Sequence, residues 1–370
     1  MQRIDDRRWD RRARRSRFAF RCAGVILAAI AACLLPALPC AAQSAAAPAQ
    51  HLRIVGGLAG VNQYTRYEEP FWTRELARLS GGRATAEIVP FDRAGIRGQE
   101  MLRLVQLGVV PFGTAILNLS AVDDAEIGMP DLAGLNPDMA TLRRSVAAFR
   151  PHLKKVLRER YGSELLALYA YPAQVTFCAK PLASLADLSG RRIRVSSATQ
   201  SDWVVALGAV PVQTAFADVV ANLRSGSIDC AITGTMSGNA IGLHEVTSHL
   251  QTTPVNWGVA AFVANGAAWA SLSKDVQDLL LQELPKLEQA IWADAEAETR
   301  GGIACDVGAA SCVGGRKGQM VEVSPSAADA ARAREILAKQ VLPGWLKRCG
   351  PSCAPVWKQT MTPGTGIELH

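Results

Sequence analysis

Three arginines crowd into four positions in the segment Leu185-Ala-Asp-Leu-Ser-Gly-Arg-Arg-Ile-Arg-Val195. Side chains on a strand alternate between faces, so Arg192 and Arg194 share one face and Arg191 and Ile193 the other. Arg194 is followed by Val195-Ser196-Ser197, so the predicted strand runs into a polar turn. An arginine at the carboxyl end of a strand can reach into a cleft. There its planar fork binds a carboxylate through two parallel hydrogen bonds. One such charge-assisted bond is worth about 1.5–3 kcal/mol. The chemistry to expect is capture of an anion; the plain alternative is a solvated basic edge.

Groups for catalysis are scarce. Gly234-Thr-Met-Ser-Gly238 looks like a nucleophile elbow but lacks the Gly-x-Ser-x-Gly spacing. The glycines at 56–60 follow a predicted strand without the dinucleotide fingerprint, and no Walker loop occurs. His244 and His249 stand five apart, a poor spacing for two metal ligands on one helix face. Five scattered histidines leave little for acid–base work. No cofactor or metal is expected.

The elements that must position Arg194 alternate between strand and helix. Strands are predicted over 52–55, 84–91, 112–117 and 165–170, with helices over 68–79, 99–107 and 142–161 between them. The pattern then repeats. Strands are predicted over 174–179, 192–195, 228–233 and 260–265, with helices over 201–207, 215–224 and 239–246. A long helix over 274–300 follows and could bridge the halves. This alternation predicts an α/β fold of two similar lobes with mostly parallel sheets and a ligand cleft between them. Residues 50–172 plus about 258–298 are assigned to one lobe. Residues 173–257 plus about 299–370, with a cysteine-bearing tail, are assigned to the other.

The chain of 370 residues opens with nine arginines and three aspartates in its first 21 positions, followed by an uncharged run from Cys22 to Ala42. A basic head, an apolar middle and the small-residue exit Cys40-Ala41-Ala42 read as a signal peptide over residues 1–42, cleaved near Ala42. That leader carries +6 of the net +7, so the remainder is near +1 and gives no reason to expect a nucleic-acid partner. Export suits the cysteines beyond it. Cys305 and Cys312, and Cys349 and Cys353, bracket short glycine-bearing loops and read as local disulfide staples. A zinc site from those four thiols is the rival, although the spacings are not two-residue knuckles. Cys178 and Cys230 lie in apolar runs and read as small buried hydrophobes.

Several segments in order resemble the TRAP transporter solute-binding proteins, the DctP family. They are Leu185-x-Asp-Leu-x-Gly-x-x-Ile-Arg-Val195, Leu207-Gly-Ala-x-Pro-Val212, Ala215-Phe-x-Asp-Val219, Leu223-x-Ser-Gly-x-Ile-Asp229, Gly242-Leu-His-Glu-Val-Thr247 and Asn265-x-x-x-Trp-x-x-Leu272. The resemblance implies a periplasmic two-lobe protein that closes over a carboxylate and delivers it to sodium-driven membrane subunits. It assigns the carboxylate-binding arginine to Arg194 and an aromatic near the ligand to Phe216. Thr233 stands where the family usually has asparagine, Gln174 where a second arginine is common, and Cys230 where a glycine is usual. The first two departures remove features of sialic-acid and small dicarboxylate binders, so the ligand stays unnamed.

Further candidates come from position alone. Asn62 and Tyr64 follow the first glycine turn, and Ser197 lies in the turn after Arg194. Trp203 and Trp257 could pack on an apolar ligand body, with plain core as the alternative. Thr235 and Ser237 sit in a small-residue loop that a ligand could approach closely. The expectation is a non-enzymatic binding protein. A sensor subunit for a signalling receptor is the first alternative, and an exported α/β hydrolase or lyase the second.

Overall fold

The computed structural model describes residues 49–369, so the leader expected over residues 1–42 lies outside the described residues. Eleven strands are described: β1 (Gln50–Gly56), β2 (Ala84–Pro90), β3 (Phe112–Ile116), β4 (Ser163–Ala170), β5 (Gln174–Cys178), β6 (Arg192–Val195), β7 (Val210–Gln213), β8 (Cys230–Gly234), β9 (His249–Asn256), β10 (Val259–Asn265) and β11 (Val321–Val323). They form two sheets, in the orders β2-β1-β3-β10-β4 and β11-β9-β5-β8-β6-β7. Every residue of β3 and of β8 is buried. Strands covered on both faces need such continuous apolar runs, and this is why both were legible as strands.

The sheets are mixed rather than mostly parallel. β10 runs antiparallel to β3 and β4, and β5 runs antiparallel to β8 and β9. The reason is connectivity. The chain passes from the first sheet to the second through β4 and β5 and returns through β9 and β10. These crossings pair with each other, Ala170 opposite Val259 and Gln174 opposite Asn256. They form one two-stranded ribbon spanning both sheets, interrupted at Tyr171-Pro172-Ala173 and at Trp257-Gly258. β9 has polar, proline-containing sequence (HLQTTPVN) and shows no alternation. Pairing in the ribbon, not its own pattern, makes it a strand.

Helices close the faces. α1 (Met139–Tyr161) starts at Asp138, whose side chain accepts the Thr141 N–H, and ends at Gly162, which adopts φ 55°. α2 (Ala198–Ala206) is capped by Ser197. α3 (Lys274–Asp306) runs six residues past its expected end and packs against both β4 and β9. The helix expected over 239–246 is instead a short α-helix at Thr235–Ala240 followed by a 3₁₀ turn at Leu243–Glu245. Gly242, at φ 88°, separates the two.

The C-terminal region divides between the sheets. β11 pairs with β9, and α4 (Ala327–Ile336) docks on the second lobe, where Asp329 accepts the Leu185 N–H at 2.9 Å. α5 (Leu342–Cys349) leads to α6 (Cys353–Thr365), which lies against α1 of the first lobe. The described cysteines form three disulfides. Cys305–Cys312 and Cys349–Cys353 are the expected local staples, so those thiols do not form a zinc site. Cys178–Cys230 corrects the reading of these two as free hydrophobes. The antiparallel register of β5 and β8 sets them directly opposite, with Cα atoms 4.1 Å apart.

Candidate functional site

A cavity of about 380 Å³ opens where the parallel strands of both sheets end. Leu58 and Phe91 follow β1 and β2, Ile116 ends β3, and Asn118 and Leu119 come from the turn after it. From the other sheet come Arg194 near the end of β6, Gln213 at the end of β7, and Thr233 and Gly234 at the end of β8. Carboxyl ends of strands are where open α/β sheets bind ligands, because the loops that follow can diverge and leave a crevice.

Arg194 is the buried charge of this cavity, at 4% exposure. Its Nε donates to the Thr214 carbonyl at 3.0 Å and its Nη1 to the Ile232 carbonyl at 2.7 Å. Nη2 has no protein acceptor among the described residues. Burial alone lowers its pKa to about 10, and no acidic side chain contributes. The guanidinium is therefore charged at neutral pH, held by two carbonyls, and without a counter-ion among the described residues. An uncompensated buried cation is costly, and an anion in the cavity would relieve it. Its two neighbours do structural work. Arg192, two residues back at the exposed start of β6, grips Asp229 through two hydrogen bonds and pulls that carboxyl below its usual range. Arg191 donates to the carbonyls of Lys180, Pro181 and Asp187.

A hydrogen-bonded relay ties the cavity to the ribbon crossing. Gln200 Nε2 donates to Gln174 Oε1 at 2.9 Å and to Asn256 Oδ1 at 2.8 Å. Gln200 Oε1 accepts from the Ser196 N–H and hydroxyl. Asn256 in turn donates to Asp131 at 3.1 Å. Gln174 and Ser196 line the cavity, whereas Gln200 and Asn256 are fully buried behind it.

Of the residues singled out from the sequence, Arg194, Thr233, Gln174, Phe216 and Ser237 come together around this cavity. Ser197, Asn62, Tyr64, Trp203, Trp257 and Thr235 do not. Ser197 caps α2, accepting the Gln200 N–H. Asn62 begins a helix rather than a loop and donates to Glu298 on α3. Tyr64, in the same helix, donates to the Ile88 carbonyl. Trp203 is fully buried against Gly134, and Trp257 donates its indole N–H to the Asn136 carbonyl at 2.9 Å. Both tryptophans take the core role that stood as the alternative. Thr235 donates to the Glu298 carbonyl. The residues missed include Leu58, Phe91, Ile116, Asn118, Leu119 and Tyr171 on one side and Ser196, Gln213 and Thr214 on the other. Most directly follow the predicted strands of the first lobe, so the strand-end rule applied to both lobes would have found them.

A sequence model of the bacterial extracellular solute-binding proteins, family 7 (DctP), matches residues 62–330. A solute-binding protein of Roseobacter denitrificans is 27% identical over 289 residues, spanning 72% of this chain and 84% of its own. Among solved structures, a Bordetella pertussis extracytoplasmic solute receptor binding pyroglutamic acid superposes with a TM-score of 0.74 at 22% identity, covering 85% of this chain and 99% of that one. A Roseobacter denitrificans TRAP periplasmic solute-binding protein with bound L-galactonate does so with a TM-score of 0.67 at 20% identity, covering 85% and 99%. At these identities the superpositions show the fold.

Proposed function

The chain belongs to the DctP family of bacterial extracellular solute-binding proteins, and on that premise we propose that it captures an organic-acid anion in the periplasm by pairing a carboxylate with Arg194 and closing its two lobes over it. The family serves transport rather than turnover, and its solved members bind organic acids such as pyroglutamate and galactonate. The observation that carries the finer reading is the Arg194 guanidinium, buried in the cavity wall with no carboxylate of the described residues shifting it. A ligand carboxylate supplies that anion, and Nη2 is the donor left for it. The ribbon interruptions at Tyr171-Pro172-Ala173 and Trp257-Gly258 supply the hinge. Contacts to the first-lobe wall form as the lobes close, so the ligand shifts the population toward the closed form. The loaded protein then delivers its ligand to the membrane subunits of a TRAP transporter.

Thermal unfolding against a panel of organic-acid anions tests this. An acid held at one hundred times its Kd stabilises the folded protein by about 2.7 kcal/mol. A panel of mono- and dicarboxylates, sugar acids and cyclic acids in which none shifts the melting temperature would overturn the proposal.

A further inference from the structure

The hydrogen-bonding capacity left open in the cavity is concentrated on its second-lobe wall. Arg194 keeps Nη2 free, and Thr233 follows Ile232, whose carbonyl holds Nη1. The hydroxyls of Thr233 and Ser237 make no hydrogen bond among the described residues, and Gln174 uses only its amide oxygen, toward Gln200. The first-lobe wall is carbon: Leu58, Phe91, Ile96, Ile116 and Leu119. It is closely built, because a Cβ on Gly98 would stand 2.6 Å from Leu119 Cδ1 and 3.4 Å from the Phe91 ring. The glycine lets those two side chains close into one apolar surface. The polar residues of this wall offer little. Asn118 has both amide atoms sealed from the cavity surface. Asp92 spends Oδ1 on the Ala59 N–H at 2.9 Å, and exposed Arg97 pairs with Glu100. Gln99 is half-buried.

A ligand's polar groups must find partners when they leave water, and its carbon gains by leaving it. One carboxylate takes up the donors around Arg194. A hydroxylated chain beyond it would set its hydroxyls against Phe91, Ile116 and Leu119. A second carboxylate would find no free cation on the first-lobe wall. An ammonium would meet only Asp92, which already serves a backbone N–H. The cavity of about 380 Å³ holds about a dozen water-sized groups. We propose that Phe91, Ile96, Ile116 and Leu119 determine the specificity of the cavity, and that its ligand is a hydrophobic monocarboxylate, one carboxylate on an aryl or branched-alkyl body of about six to nine carbons. This rests on the carboxylate–Arg194 reading. The carboxylate meets the polar wall, and the apolar body is buried against the first lobe.

The test is calorimetric titration of the full chain with two sets of probes. The first is a series of growing apolar acids: butanoate, 4-methylpentanoate and 3-phenylpropanoate. Affinity should rise along it, by up to about fourfold for each carbon buried. The second set adds polarity to a body of similar size: phenylalanine (3-phenylpropanoate with an ammonium), glutarate, gluconate and 5-oxopyrrolidine-2-carboxylate. Each should bind at least about tenfold more weakly than 3-phenylpropanoate. Leu119→Ser should flatten the rise while the protein still melts cooperatively. A flat series in the wild type, any member of the second set matching 3-phenylpropanoate, or a rise of wild-type steepness in Leu119→Ser overturns the assignment. The wild-type ranking needs no variant, so it stands even if Leu119→Ser folds poorly. Arg194→Gln separates the two readings. If acids of the second set bind in an Arg194-dependent way and bind tightest, only the ligand class fails. If no probe binds the wild type, or Arg194→Gln binds acids as well as the wild type does, the carboxylate reading fails with it.

Discussion

Asp131 accepts the Gly258 N–H at 2.7 Å, and its carboxylate also takes the N–H groups of Trp257 and Val259 and the side-chain amide of Asn256. One buried carboxylate from the first lobe thus gathers the backbone at the point where β9 becomes β10. The same Asn256 reaches Gln200 and so the cavity wall. The cavity wall and the crossing share one hydrogen-bond network.

Asp131→Asn keeps the shape but replaces an oxygen acceptor by a donor facing N–H groups. The expected loss is about 2–4 kcal/mol of stability, read as a lower midpoint in urea unfolding. Gly258→Ala acts at the same place through the backbone. Gly258 sits at φ 85°, and a Cβ would stand 3.0 Å from Gln174 Nε2. A loss of about 1 kcal/mol or more is expected, with weaker ligand binding because the crossing cannot take its native geometry.

Buried carboxylates set the pH dependence of stability. Burial raises Asp131 to about 6 and Asp306 to about 7, from an ordinary 3.8. A folded-state pKa above the unfolded value stabilises fully below the unfolded pKa and loses that contribution as pH rises through the folded one. Stability should therefore fall as pH rises from 5 to 8, and Asp306→Asn should flatten the upper part of that fall. In the opposite sense, Asp229 and Asp187 are held low by their hydrogen bonds, so their contribution is lost only as pH falls below about 4. Thermal melts across pH 3 to 9 check both limbs. A melting temperature that rises from pH 5 to 8 contradicts this assignment.

Ligand affinity should behave differently. Arg194, at about 10, keeps its charge through neutral pH, and a ligand carboxylate is ionised above about 5. No histidine among the described residues lines the cavity. Affinity measured between pH 6 and 8 is therefore expected to be flat. A strong dependence in that window would mean that another titrating group holds the ligand.

The disulfides should not be equivalent. Cys178–Cys230 ties two strands across 52 residues, whereas Cys349–Cys353 spans 4. Replacing the first pair with alanine should cost about 2–4 kcal/mol and the second much less, because the longer loop loses more freedom when closed. Comparable losses from the two pairs would contradict this.

Local chemistry was legible in the sequence and long-range convergence was not. The apolar runs of β3 and β8, the Gly162 stop after α1 and the start of α3 after Ser273 all carry their own signals. Arg194 was found because its strand and the turn after it are contiguous. β9 stayed hidden because its partner in the ribbon, not its pattern, fixes it. Cys178 could be paired with Cys230 only once the antiparallel register was known. Half of the cavity was missed for the same reason. Leu58, Phe91 and Asn118 are far apart in sequence and meet only through the strand order β2-β1-β3. Asn62 and Tyr64 were misplaced because the helix after β1 starts earlier than the turn signals suggest.

The central claim is that Arg194 holds the ligand's carboxylate, and calorimetry on Arg194→Lys and Arg194→Gln tests it directly, using whichever acid stabilises the wild type. Lysine keeps the charge and loses the planar fork, whereas glutamine loses both. The account predicts affinity falling in the order wild type, Lys, Gln, with the last weaker by about a hundredfold or more, while both variants still unfold cooperatively. Wild-type affinity in folded Arg194→Gln would contradict it.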